Sequence, residues 1–311
     1  MTNTQDQDTT LPDVTEAPNP VIRTMRMLWN DKFAFVSVVF LLIVLLCAIV
    51  GPFLLEDAAT KQNLRGRNAP PFDFSTAWPY WLGGDALGRP LLARIIVAAQ
   101  NTIFVAAGAV FFSLLIGTTL GLIAGYTSRI ISQIIMRLAD IIMSFPSLLL
   151  AVIVLFMLDS SVFNLVIVLA ITRIPVYLRT ARAETMEVRE RMFVQAAKVM
   201  GASNGRIIFR HILPVVFPTL ITIATLDFAF VMLAESALSF LGIGIQPPEI
   251  TWGLMVSQGR PYLTTAWWLS FWPGLAIILT TLSLNLVSNW LRTALDPAQR
   301  WRLEIVRKKN G

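Results

Sequence analysis

Long apolar runs separated by short polar links make up most of the chain, and the lengths of those runs set the first expectation. Six stand out: Phe33 to Leu55, Thr102 to Tyr126, about Met136 to Leu158, about Val162 to Leu178, about Val215 to Leu241, and about Trp268 to Trp290. A helix of about 20 apolar residues crosses a hydrocarbon layer roughly 30 Å thick. The pattern therefore predicts six transmembrane helices in an all-α, polytopic membrane bundle. It divides the chain into an N-terminal tail (1–32), a first span (33–55), a large loop (56–101), a five-helix core (102–293) and a C-terminal tail (294–311). Residues 1 to 20 hold too few large apolar groups to offset the entropy of ordering, so the start of the first tail is expected to be disordered. The turn at Asp159 to Ser161 is expected to be very short.

Composition supports this reading: 55% of the 311 residues are hydrophobic and only 14% charged. That balance excludes a soluble globular domain. The net charge of +6 would suit nucleic acid, but its distribution points to topology instead. With both ends on one face, that face collects 18 of the 25 Lys and Arg, and the positive-inside rule makes it cytoplasmic. Trp78, Trp81, Trp252, Trp267, Trp268 and Trp272 then fall towards the opposite interface. Cys47 has no partner for an intrachain disulfide, and the single histidine, His211, is expected to cap or pack. No cofactor or metal site follows from this inventory.

Two stretches depart from the apolar rhythm. Along the second run Ala109, Ser113, Gly117, Gly121 and Gly125 place a small residue at every fourth position, a stripe that lets helix backbones approach closely. The segment Arg179 to Pro214 is too polar to span and too long for a turn. Within it Ala197 and Gly201 lie one turn apart with Ala196 and Ala202 beside them, which predicts a flat, nearly side-chain-free patch on a surface helix. Ser203 and Asn204 suit a stop and restart before Arg206 and Arg210. The patch could seat another protein or pack on its own bundle.

The segment resembles the EAA loop of ABC importer permeases, with Gln195, Ala196, Ala197, Gly201, His211, Leu213 and Pro214 at the family's spacing, Gln replacing Glu and His replacing Ile. LGGDALGRPLLAR (82–94), ESALSFLGIGIQPPEITWG (235–253) and NLVSNWLRTALDP (285–297) resemble, in order, elements of the second permease type of the dipeptide, oligopeptide and nickel importers. The resemblance implies a type I (MetI-like) permease fold in a bacterial inner membrane, forming half of a translocation pathway with a second, related permease. It implies two ATPase subunits carrying ATP and Mg, coupled through Gln195, Ala196, Ala197, Gly201, Ala202, Leu213 and Pro214. An extracytoplasmic solute-binding protein would deliver peptides or similar small solutes. The chain contains no Gly-Lys pair and so no phosphate-cradling GxxxxGK[ST] loop, and an external motor is consistent with that. A large side chain at position 201 is expected to block docking.

Ionisable groups inside spans are functional candidates, because a charge in lipid is costly. Asp140, Arg173 and Glu235 stand out: Asp140 is expected to pair with Arg137, while Arg173 and Glu235 could pair with each other, snorkel or line the pathway. Glu235 is the preferred pathway residue, because a polar inward face is needed for a hydrated peptide to cross. Gln246, Pro247, Pro248, Glu249 and Trp252, in a segment that cannot be one regular helix, are expected to receive the binding protein. An ion-coupled secondary transporter is the alternative, though no internal repeat of the kind such proteins show is visible.

Overall fold

The computed structural model describes residues 20–75, 77–158 and 161–295. The expectations for residues 1–19, for Asp159 and Ser160, and for the C-terminal tail from residue 296 lie outside these. Among the described residues there are eleven α-helical stretches and no strand. Two precede the core: α1 (Pro20–Asn30) and α2 (Lys32–Thr60), the latter capped by Asp31, whose carboxylate accepts the Ala34 N–H. Met27 of α1 and Ala34 of α2 pack on Trp290 and Ala294 at the far end of the chain's last helix. The residues before the first span are therefore helical from Pro20, where the apolar count alone left a tail.

The bundle is built around α3 (Leu91–Tyr126), which packs along α6 (Val162–Val188) over much of its length. The small-residue stripe lies at this contact. A Cβ added to Gly117 would stand 2.7 Å from the Ile174 carbonyl oxygen, and one on Gly121 would stand 2.6 Å from both the Ala181 Cβ and the Leu178 carbonyl oxygen. Both obstacles include backbone, so the helices would have to separate. Gly121→Val should cost roughly 1 to 3 kcal/mol, the usual range for overpacking. A purified Gly121→Val protein with an unchanged melting temperature would show that the stripe does not set the α3 to α6 distance.

The remaining core helices are α4 (Arg129–Met143), α5 (Ser147–Met157), α9 (Leu213–Phe240) and α11 (Trp268–Leu295). Among the described residues five helices are long and apolar enough to cross a membrane, and a sixth span results if α4 and α5 count as one. That third span is not the straight run expected from 136 to 158. The helices meet at 83°, and α5 is only about 16 Å long, half of a hydrocarbon layer. Pro146 explains the break, since it supplies no N–H to a helix and disfavours helical geometry at Phe145. The other spans outrun their apolar stretches: α3 begins eleven residues before Thr102, and α6 continues ten residues past Leu178.

Two smaller assemblies close the ends. At one end, the 61–90 loop folds back on α3, and α10 (Trp252–Gly259) wedges between α3, α9 and α11. At the other end, α7 (Met192–Val199) and α8 (Asn204–Arg206) follow α6, and a π-helical stretch, Ile207–Ile212, leads from α8 into α9. The Leu213 N–H reaches back five residues to the Ile208 carbonyl, just before Pro214, which has no N–H to continue a regular ladder.

Candidate functional site

The segment between α6 and α9 is anchored by polar contacts to the end of α3. Arg189 donates from Nη1 to the Gly125 carbonyl at 2.9 Å, satisfying one of the orphan carbonyls that end α3. The Tyr126 hydroxyl donates to Asn204 Oδ1 at 3.4 Å, and Arg182 Nε donates to Ser132 Oγ at 2.9 Å. Val194 and Ala197 turn one face of α7 into the bundle, where both are buried. Between this face, Tyr126 and Asn204 lies a polar cavity of about 520 Å³ that also borders Arg189, Glu190, Gln195 and Lys198.

This arrangement corrects the flat-patch expectation. Ala197 faces the chain's own core, and Gly201 ends the helix rather than continuing its surface. Its φ is +82°, with the Gly201 N–H donating to the Lys198 carbonyl at 3.1 Å and the Ala202 N–H to the Ala197 carbonyl at 3.1 Å. Those two bonds are a Schellman cap, which favours glycine because an L side chain is strained in the left-handed region. A Cβ at Gly201 would meet nothing within 4 Å. Gly201→Ala should therefore cost about 1 kcal/mol through strain alone, with Gly201→Asn milder. Equal melting temperatures for glycine, alanine and asparagine at 201 would overturn that account.

Beside the exposed Lys198, α7 and its cap present prominent apolar side chains: Met192 is 89% exposed, Val199 88% and Met200 81%, with Ala196 and part of Phe193 beside them. Gln195 is exposed, yet its Nε2 donates back to the Arg189 carbonyl at 3.1 Å. Ser203 caps the restart at α8, accepting the Arg206 N–H, as its residue type suggests. Leu213 and Pro214 start α9, behind the surface helix.

The three ionisable candidates find partners other than those expected. Asp140 accepts from Arg179 Nη2 at 2.6 Å across the α4 to α6 contact, so its partner is not Arg137. Arg173 pairs with Asp227 of α9 and stacks 4.4 Å from the centroid of the Phe230 ring. Asp227, 4% exposed, is absent from the sequence-derived candidates although it interrupts the fifth apolar run just as Glu235 does. Arg173 also borders a cavity of about 220 Å³ at the break between α4 and α5, together with Ser147 and Thr172. Glu235 is fully buried within the chain: it accepts from Ser239 Oγ at 2.8 Å and Ser236 Oγ at 3.3 Å, and the Thr251 side chain also bonds to it. Its carboxylate ties α9 to the residue that caps α10. This enclosure keeps it from an open pathway face in this conformation, because the hydroxyls that satisfy it come from its own helix and the returning loop.

At the opposite end Pro247, Pro248 and Glu249 are exposed and Gln246 is half-buried, forming a projecting turn. Glu249 accepts from Asn101 Nδ2 at 2.7 Å. Trp252 is not part of that surface. It is 2% exposed, with its indole N–H donating to the Ile95 carbonyl at 2.8 Å and its backbone N–H to Thr102 Oγ1 at 3.1 Å. Beside it, the LGGDALGRPLLAR stretch folds around Asp85, which accepts the backbone N–H groups of Leu87 and Arg89 and the side chains of Arg89 and Arg94.

Comparison with known proteins agrees with this architecture. Residues 117–301 match the family of binding-protein-dependent transport system inner membrane components, and residues 19–71 match the N-terminal transmembrane domain of oligopeptide transport permease C. The chain is 38% identical to a dipeptide transport system permease of Alkalihalophilus pseudofirmus, over 91% of this chain and 92% of the relative. It is 37% identical to a di/tripeptide transport system permease of Pseudomonas aeruginosa, covering 90% and 93%. It is 34% identical to a glutathione transport system permease of Pectobacterium atrosepticum, covering 89% and 94%. Among solved structures, a chain of the inward-facing MetNI methionine ABC transporter has the same fold, with a TM-score of 0.54 at 15% identity, over 71% of this chain and all of that one.

Proposed function

Because the chain belongs to the family of binding-protein-dependent transport system inner membrane components, we propose that it is one permease subunit of an ATP-driven importer of di- or oligopeptides. The observation that carries the peptide assignment is the match along nine-tenths of the chain to permeases of dipeptide and di/tripeptide systems. The chain lies in the bacterial inner membrane with both termini cytoplasmic, pairs with a second permease, and receives substrate from an extracytoplasmic binding protein. Two ATPases carry the ATP and Mg.

Coupling runs through α7. An ATPase groove seats on Met192, Val199 and Met200, whose exposure beside a polar anchoring network suits a partner interface. Movement of α7 passes through Arg189 and Tyr126 to the end of α3, and through the π-helical stretch to α9. The π-turn is a break at which α9 can tilt without unwinding. Nucleotide then biases a two-state equilibrium between outward-open and inward-open arrangements. Gln195, Ala196 and Gly201 shape this element; Ala197 and Ala202 hold it to the bundle. Arg173, on α6 beside the broken third span, is a charged group with access to the pathway, while Pro247, Pro248 and Glu249 lie where a binding protein would dock.

The test is uptake of a radiolabelled dipeptide in cells lacking the chain and in cells where it is restored. Uptake should depend on the chain and on ATP and survive a protonophore in vesicles. Collapse of vesicle uptake by the protonophore with ATP present would overturn the ATP-driven reading.

A further inference from the structure

The Asp85 knot leaves a charge unmatched. Both carboxylate oxygens of Asp85 are occupied: one by the Leu87 and Arg89 backbone N–H groups, the other by Arg89 Nε at 2.7 Å and Arg94 Nη1 at 2.5 Å. Two guanidinium groups thus share one carboxylate. Arg89 reaches water, but the Arg94 side chain is only 3% exposed. Its remaining contact is with a neutral group, the Gln258 Oε1 at 3.2 Å, and its Nε–H, although buried, has no acceptor among the described residues. A buried cation in excess is costly unless an anion completes its shell.

Arg94 and Gln258 line a cavity of about 320 Å³ between the 84–91 turn, α10 and the start of α11. Asp85 and Arg89 also border it, so two guanidinium groups and one carboxylate face it with a net positive charge, and Leu87, Met255, Tyr262 and Leu269 supply apolar walls. The size lies at the lower end of the range for small-molecule sites, roughly 300 to 1,000 Å³. A guanidinium with an unpaired N–H is suited to a carboxylate, and the apolar walls suit the side chain next to it.

We propose that this cavity binds the C-terminal carboxylate of the transported peptide, with Arg94 as the principal contact and Gln258 positioning it. The site lies at the end of the bundle assigned to the extracytoplasmic face, so this inference rests on the peptide-import reading. It assigns the LGGDALGRPLLAR stretch a role beyond folding: Asp85 fixes the two arginines, and their excess charge selects an anionic chain end.

The experiment uses the intact membrane complex in lipid nanodiscs, without the binding protein, and N-acetylalanine and N-acetylalanine amide as probes. The acid should bind at least tenfold more tightly than the amide. Gln258→Glu places a carboxylate beside Arg94 and should abolish that preference while leaving the melting temperature the same or higher. Equal binding of acid and amide by the unaltered complex would overturn the site. So would a folded Gln258→Glu complex that keeps the preference, or a structure of the assembly showing another subunit's carboxylate in the cavity. Should Gln258→Glu fail to fold, the comparison of acid with amide on the unaltered complex decides alone. Chain-dependent dipeptide uptake without an acid preference would reject the site and leave the import reading standing. An acid preference that Gln258→Glu removes, without peptide uptake, would retain the carboxylate site and reject the peptide as its source.

Discussion

Val199→Asp and Met200→Asp should each reduce ATP-driven uptake by at least about tenfold while leaving the permease folded. In the chain alone these side chains are 88% and 81% exposed, and an exposed substitution usually changes stability by no more than about 0.5 kcal/mol. Seated in an ATPase groove, the same positions would be desolvated, and an unpaired carboxylate there costs several kcal/mol against about 1.4 kcal/mol per factor of ten. Copurification of the ATPase with each variant measures the loss directly. Gln195→Ala provides the contrast, since Gln195 gives up only a neutral bond to the Arg189 carbonyl, worth about 1 kcal/mol, and should leave uptake nearly intact. Full ATPase copurification with both aspartate variants would remove the outward face of α7 from the coupling interface.

The outward face of α7 differs from the one that residue spacing suggests, and the difference is physical. Small residues at Ala197 and Gly201 read as a flat patch only if the helix continues through both. The structure turns Ala197 inward and stops the helix at Gly201, and helix rotation and termination depend on what α7 packs against. The stripe on α3 was legible because it repeats at five successive positions, leaving one face no choice of orientation. The break at Pro146 was missed, because the length of the apolar run alone does not register a single proline within it. The apolar run places the start of the second span at Thr102, whereas the helix extends back to Leu91 through Arg94, whose side chain is held by Asp85 outside that run. Which ionisable groups meet is a tertiary fact. Glu235 had a local clue in Ser236 and Ser239 at positions one and four residues on, but Arg173 and Asp227 are 54 residues apart and pair only because α6 packs on α9.

That pair carries the second large effect. Arg173→Gln should destabilise the protein by roughly 3 to 5 kcal/mol, because it strands a buried Asp227 whose side chain is only 5% exposed. Set against a typical total stability of about 5 to 15 kcal/mol, this should cut the amount of folded protein in the membrane severely. Asp227→Asn should cost less, because Arg173 keeps its place over the Phe230 ring and its side chain is 17% exposed, open enough to reach the cavity at the α4 to α5 break. The double variant, Arg173→Gln with Asp227→Asn, removes both charges and leaves two amides able to bond to each other. Its loss should fall well below the sum of the single losses, with a coupling of up to about 3 kcal/mol. Melting temperatures of the four purified proteins complete the cycle. Additive losses would mean that the two charges do not stabilise each other, and that each is held by its own surroundings instead.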